Sequence, residues 1–144
     1  MKLLMLLIIF FLGACSNVKP NDPSKINLFK QAEDSYKRGL LTEAEASYLK
    51  LTKLSPGVTD AWTKLGNIYV RTGQLDAAVT MYDKCLEVDP KETRCWNNLA
   101  LTRIKQSMET LKKGLSQVEP NSDEYYRLDG LYNSLAAIIM VKGQ

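Results

Sequence analysis

The chain has 144 residues, of which 45% are hydrophobic and 24% are charged, and its formal net charge is +3. These values fit one globular domain with short additional segments, and the charge is too small to indicate a nucleic-acid-binding protein. The sequence contains no histidine, which excludes Ser-His-Asp catalysis and most zinc sites. It also has no glycine-rich phosphate-binding loop. We therefore expect no enzyme activity, no metal, no cofactor and no small-molecule substrate.

The amino terminus has the composition of a secretion signal. Lys2 is followed by ten apolar residues, 3–12. A membrane-spanning helix needs about 20 such residues, whereas about ten is typical of a signal-peptide core. The sequence predicts a signal peptide over residues 1–14. A buried amino-terminal helix of a cytosolic protein is disfavoured, because no polar residue interrupts the apolar run.

Residues 12–15, LGAC, resemble the lipobox of bacterial lipoproteins. The resemblance implies cleavage before Cys15 and attachment of acyl chains such as palmitate to this residue, which would hold the protein at a membrane. Ser16 stands where inner-membrane lipoproteins of the enterobacterial type carry Asp, so the chain is similar to outer-membrane lipoproteins that face the periplasm. Residues 15–24 include two prolines and are otherwise mostly polar, which predicts a flexible tether. An ordinary signal peptide with a chance cysteine is the alternative.

Small, aromatic and turn-forming residues recur between residues 25 and 92 with a period of 34 residues. Spacings of three and four residues place the aromatic and aliphatic members on one face of each helix. We expect helices near 25–38, 41–54 and 59–72, and a fourth that ends at Pro90. The second copy of the pattern consists of Trp62, Leu65, Gly66, Tyr69, Gly73, Ala78, Tyr82, Cys85 and Pro90. The matching residues of the first copy are Leu28, Ala32, Gly39, Ala44, Tyr48, Leu51 and Pro56.

This pattern resembles the tetratricopeptide repeat, with Tyr82 at a place where Phe is usual. The resemblance implies an all-α fold, a solenoid of antiparallel helix pairs over residues 25–142. We expect about three helix pairs and a C-terminal capping helix, with full repeats at 25–58 and 59–92. Each pair leaves apolar surface on both sides, which only stacked neighbours can bury.

A degenerate third repeat covers residues 93–122. Trp96 aligns with the tryptophan of the second repeat, but the register is then lost, and no glycine stands at the expected turn. Either a tight turn lies near residues 106–107, or residues 94–118 form one long helix. We expect two helices, and about seven in all, because the helix that carries Trp96 needs a partner.

The last predicted helix, residues 123–141, has the place of a capping helix. Asn121 or Ser122 is a suitable N-cap, and two acidic residues follow in the first turn. Its apolar run at 136–141, AAIIMV, either packs on the third repeat or is available to a partner.

The inner face of a tetratricopeptide solenoid is lined by the first helix of each pair, and the resemblance implies that this face binds peptides. Asn67 and Asn98 match two asparagines of domains that clamp a terminal carboxylate, but Thr63 stands where these domains have Lys, so we do not expect such a clamp. Neither asparagine lies in a packing stripe, so both are expected to be replaceable without unfolding. The candidate peptide-binding residues are Asn67, Val70, Arg71, Asn97, Asn98, Leu101 and Lys105.

Cys85 and Cys95 lie five residues on either side of Pro90, on helices predicted to be antiparallel. Such positions face each other across a hairpin, and an oxidising periplasm would permit a disulfide. The alternative is a pair of buried thiols, because packed helix axes lie about 8–10 Å apart.

Two functions follow as expectations. The first is a membrane-anchored scaffold for protein–protein interactions in the bacterial envelope, similar to small lipoproteins that assist assembly of a pilus, secretion system or outer-membrane complex. The second is a structural role in envelope or peptidoglycan maintenance, with the repeats as a spacer.

Overall fold

A computed structural model describes residues 22–141 of the chain. The predicted signal peptide, the candidate lipidation site Cys15 and most of the tether lie outside this range. Within it the chain forms six α-helices and no strand. The helices are α1 (Pro23–Lys37), α2 (Leu41–Leu54), α3 (Thr59–Arg71), α4 (Leu75–Val88), α5 (Thr93–Leu115) and α6 (Asp123–Val141).

The first helix begins two residues earlier than predicted and takes up the end of the predicted tether. Asp22 is its N-cap, and the carboxylate accepts a hydrogen bond of 2.9 Å from the backbone N–H of Ser24. Pro23 occupies the first turn, where a missing N–H costs nothing. The domain therefore starts at Asp22.

Gly39 and Gly73 end the first helix of each full pair. Their φ angles are 76° and 75°, a left-handed conformation that glycine adopts without steric penalty. At the second turn, the N–H of Gln74 bonds the carbonyl of Tyr69 at 2.8 Å, which satisfies a carbonyl at the helix end. These two turns reverse the chain and produce the pairs α1/α2 and α3/α4.

The core lies between the stacked pairs. One buried cluster joins α1, α2 and α3, and a second joins α4 to the start of α5. Trp62 and Tyr69 contact both clusters, so α3 connects them. Gly66 marks the closest crossing of α3 and α4, because a Cβ there would lie 2.4 Å from the ring of Tyr82.

The prediction of two helices in the third repeat is wrong, since α5 is one helix from Thr93 to Leu115. The reason is local. Ser107 stands where Gly39 and Gly73 end the earlier helices, and its hydroxyl donates to the carbonyl of Arg103 at 3.0 Å. Nothing at this position favours a left-handed turn, so the helix continues and the chain has six helices in residues 22–141 rather than seven.

The last helix has the predicted bounds, and it runs back along α5. Its cap is Ser122, whose hydroxyl accepts the N–H of Tyr125 at 3.1 Å. The preceding residue, Asn121, has a φ of 64°, a conformation that asparagine tolerates better than most residues. Leu128 packs near Gly114, whereas Leu131 and Ile138 stay exposed. None of the helices in residues 22–141 has the length and hydropathy that crossing a bilayer requires.

Candidate peptide-binding face

The first helices of the repeats, α1, α3 and α5, share one side of the domain, which we call the inner face. Side chains connect α1 to α3 there, since Lys64 Nζ lies 2.9 Å from Glu33 Oε1. Asn98 on α5 connects to Asn67 on α3 in the same way, with 3.0 Å between Nδ2 and Oδ1. The inner face is therefore a continuous surface across three repeats.

Asn67 is the centre of a hydrogen-bond network at the junction of the second and third repeats. Its Oδ1 accepts one bond from the hydroxyl of Tyr82, at 2.7 Å, and the bond from Asn98. Tyr82 is only 1% exposed, so its hydroxyl needs this acceptor. The network gives Asn67 and Asn98 a structural role that the sequence did not predict.

Glu33 has the same place one repeat earlier. It accepts a hydrogen bond from the hydroxyl of Tyr48 and pairs with Lys64. Burial opposes ionisation of Glu33, but the bonds from Tyr48 and Lys64 outweigh it and lower the pKa of the carboxyl group. Burial, together with the bond to this carboxylate, raises the pKa of Tyr48. Both tyrosines stand where Phe is usual, and the extra hydroxyl explains the difference.

An open pocket of about 260 Å³ lies on the inner face between α3 and α5. Its apolar walls include Val70 and Leu101, and its polar groups include the amide of Asn67 and the ammonium of Lys105. The end of α6 closes one side. The lining consists of Asn67, Val70, Tyr82, Asn98, Leu101, Thr102, Lys105 and Ile139.

Two cations lie over the ring of Tyr36 at the α1 end of the inner face. Lys64 Nζ is 4.6 Å from the ring centroid, and the guanidinium carbon of Arg71 is 5.4 Å from it. Lys64 also pairs with Glu33, whereas Arg71 has no carboxylate within ion-pair distance in residues 22–141.

Five of the seven predicted peptide-binding residues line the pocket, namely Asn67, Val70, Asn98, Leu101 and Lys105. The other two lie beside it: Arg71 follows Val70 on α3, and Asn97 donates to Asn98 Oδ1 at 3.3 Å. Sequence reasoning missed Tyr82, Thr102 and Ile139. The tyrosine in place of Phe was a signal for the first of these. Ile139 reaches the pocket only because α5 does not bend, which the sequence did not show.

Cys85 and Cys95 lie beneath the inner face, and their sulfurs form a disulfide with Cα atoms 6.4 Å apart. Both residues are fully buried, at the positions that Leu51 and Ala61 occupy one repeat earlier. Thr63 adjoins them, with its hydroxyl 2.9 Å from Cys95 Sγ. The bridge joins α4 to α5 at the repeat junction below the pocket.

The repeat register and the geometry of the helix pairs determine the fold. It is a tetratricopeptide solenoid. The family model of the tetratricopeptide repeat matches residues 59–92, the second repeat. A solved structure described as the TPR2B-domain:pHsp70-complex of yeast Sti1 is similar over 81% of this chain and 98% of that chain, with a TM-score of 0.58 and 16% identity.

Curated relatives are also similar to part of the chain. A peroxisomal targeting signal receptor of Candida albicans is 28% identical over 114 residues, which is 76% of this chain and 19% of the receptor. The receptor of Pichia angusta is 27% identical over 88 residues, or 56% of this chain and 16% of the receptor. The tetratricopeptide chain thus spans less than a fifth of the length of these relatives.

Proposed function

We propose that the protein is a lipid-anchored scaffold of a bacterial cell envelope, which binds an extended segment of a partner protein on its inner face. The partner would belong to a pilus, secretion or outer-membrane assembly. The observation that carries the binding role is the open pocket between α3 and α5, where amide groups adjoin the apolar side chains of Val70 and Leu101. A peptide offers both backbone polar groups and apolar side chains, so it matches this lining.

The comparisons support a protein partner. Both the targeting-signal receptors and the Hsp70 complex are named for recognition of other proteins. The envelope location is supported by the LGAC sequence at residues 12–15, which places Cys15 where a bacterial lipoprotein carries its acyl chains. Acyl chains on Cys15, followed by a short tether, would keep the inner face close to a membrane-bound assembly.

Site-specific photo-crosslinking in the full chain tests the binding role. A photoreactive residue in place of Leu101 is expected to yield a discrete covalent adduct with one or a few proteins of a single assembly. The matched control is the same residue at Asp83, which is exposed on α4. Adducts from the Asp83 position alone would place the binding surface on the outer helices, and adducts from neither position would favour a spacer.

The anchor is tested separately with Cys15→Ser. The wild-type chain is expected to fractionate with membranes and to carry acyl chains in its mass spectrum, whereas the variant remains an unprocessed or unlipidated species. Normal fractionation and an unchanged mass for the variant would contradict lipidation at Cys15.

A further inference from the structure

A basic residue recurs at one position of the inner face in every repeat. Lys37, Arg71 and Lys105 are separated by 34 residues each, so they occupy the same place on α1, α3 and α5. The three helices lie side by side on one surface, which brings the three positive charges into a row. We call this row the basic ladder.

Helix dipoles do not account for the whole ladder. Lys37 and Arg71 lie in the last turns of α1 and α3, where a cation interacts favourably with the helix carboxyl end. Lys105, however, lies in the middle of α5. In residues 22–141 none of the three comes within ion-pair distance of a carboxylate.

The pocket beside the ladder is rich in hydrogen-bond donors. Because Asn67 Oδ1 accepts from Tyr82 and Asn98, its own Nδ2 group is the part of this amide that remains for a ligand. Lys105 adds an ammonium group, and no acidic residue is among the pocket's lining residues. Glu33, an acid of the same face, already binds Lys64 and Tyr48.

We propose that the inner face recognises an extended acidic protein segment with a carboxylate at every third residue. This inference rests on the proposed binding function and specifies its ligand. Adjacent packed helices lie about 8–10 Å apart, and an extended chain advances about 3.3 Å per residue. Three residues therefore span one step of the ladder. A flat bilayer has no such match, since it cannot enter a pocket between α3 and α5.

The direct test is fluorescence anisotropy with the full chain in detergent and a labelled dodecapeptide that carries Glu at every third position. One control peptide has Gln in place of Glu, and a second has the same composition with its Glu residues adjacent. We expect the spaced acidic peptide to bind best and to lose affinity as salt screens the charges. Equal affinity for the Gln peptide would overturn the charge preference, and equal affinity for the adjacent-Glu peptide would overturn the spacing.

Protein variants assign the effect to the ladder. Each substitution Lys37→Gln, Arg71→Gln or Lys105→Gln is expected to weaken binding of the spaced peptide by about two- to fivefold, the range of exposed ion pairs. A matched triple variant changes three exposed lysines on α2 and the turn after α4, and it should bind as the wild type does. Its substitutions are Lys50→Gln, Lys53→Gln and Lys91→Gln. Equal losses in the matched variant would show a non-specific charge effect and overturn the ladder.

Two further outcomes separate this inference from the proposed function. If the crosslink from Leu101 persists in a variant with all three ladder cations replaced by Gln, the inner face binds a partner but the acidic preference is wrong. If vesicles of phosphatidylglycerol and phosphatidylethanolamine compete with the spaced peptide more strongly than unlabelled peptide does, the ligand is an anionic membrane surface. Absence of the crosslink in the wild type would contradict the proposed function itself.

Discussion

Glu33 and Asn67 lie 34 residues apart in the sequence, and each accepts a hydrogen bond from the tyrosine hydroxyl of its own repeat and a second bond from the next repeat. The partner in the next repeat is Lys64 for Glu33 and Asn98 for Asn67. The two junctions therefore have the same geometry, ionic in one case and neutral in the other. Position and charge at this point link the stacking of the repeats to the surface of the pocket.

We expect Asn67→Ala to destabilise the domain by about 1–3 kcal/mol, because the hydroxyl of buried Tyr82 loses its acceptor. In a Tyr82→Phe background the same substitution should cost markedly less, since no hydroxyl remains to be satisfied. Urea unfolding followed by circular dichroism measures both values. Equal costs in the two backgrounds would show that the network does not stabilise the junction.

This network also defines what the sequence could reveal. The period of 34 residues predicted α2 and α6 with the observed bounds, because the glycine, proline and capping signals at their ends act locally. The same period placed five predicted residues in the pocket. Hydrogen bonds between repeats are different, because they depend on which polar side chain meets which neighbour in space. Tyr82 in place of Phe was visible in the sequence, but its partner Asn67 was not.

The third repeat shows the opposite limit. The tryptophan of α5 aligned with the pattern, and the absence of a glycine near residue 107 was apparent, yet the argument that the helix needs a partner favoured a turn. The structure resolves the competition in favour of local propensity: α5 continues to Leu115, and α6 runs back along it. Packing requirements did not create a turn where no residue supports one.

Glu33→Gln should reduce the acid sensitivity of the fold. The folded-state pKa of Glu33 lies below its ordinary value of 4.5, so the ionised group stabilises the native state above that value. The stabilisation is lost as the pH falls through the lower folded-state pKa. We expect the wild type to lose about 1 kcal/mol more than the variant between neutral and acidic pH. Unfolding in urea at several pH values measures this, with Glu43→Gln as an exposed control on α2; a smaller loss in the wild type would contradict it.

Gly73→Ala and Ser107→Ala are equivalent substitutions one repeat apart, with opposite expected results. The φ angle of Gly73 is 75°, so alanine there is expected to cost about 1–2 kcal/mol. Ser107 lies inside α5, where alanine is the better helix former, so its replacement should be neutral or slightly stabilising. Thermal unfolding of both variants distinguishes the cases. A clear loss on Ser107→Ala would indicate that this position supports a turn.

Trp62 and Trp96 make the same hydrogen bond but differ in packing. The indole N–H of Trp62 donates to the carbonyl of Pro56 at 2.8 Å, and that of Trp96 donates to the carbonyl of Pro90 at 2.9 Å. Trp62 contacts both core clusters, whereas Trp96 is 54% exposed, because no second helix of the third repeat covers it. The difference in stability on substitution therefore measures the missing helix.

We expect Trp62→Ala to cost about 3–5 kcal/mol, the value for a large aromatic residue in a core. Trp96→Ala should cost about 1–2 kcal/mol, since it loses one hydrogen bond and a partly buried ring. Urea unfolding gives the two costs, and iodide quenching of Trp62→Phe and Trp96→Phe reports which remaining indole meets solvent. Strong quenching is expected only where Trp96 remains. Equal costs and weak quenching in both variants would mean that a helix covers Trp96 in solution, as a bent third repeat would require.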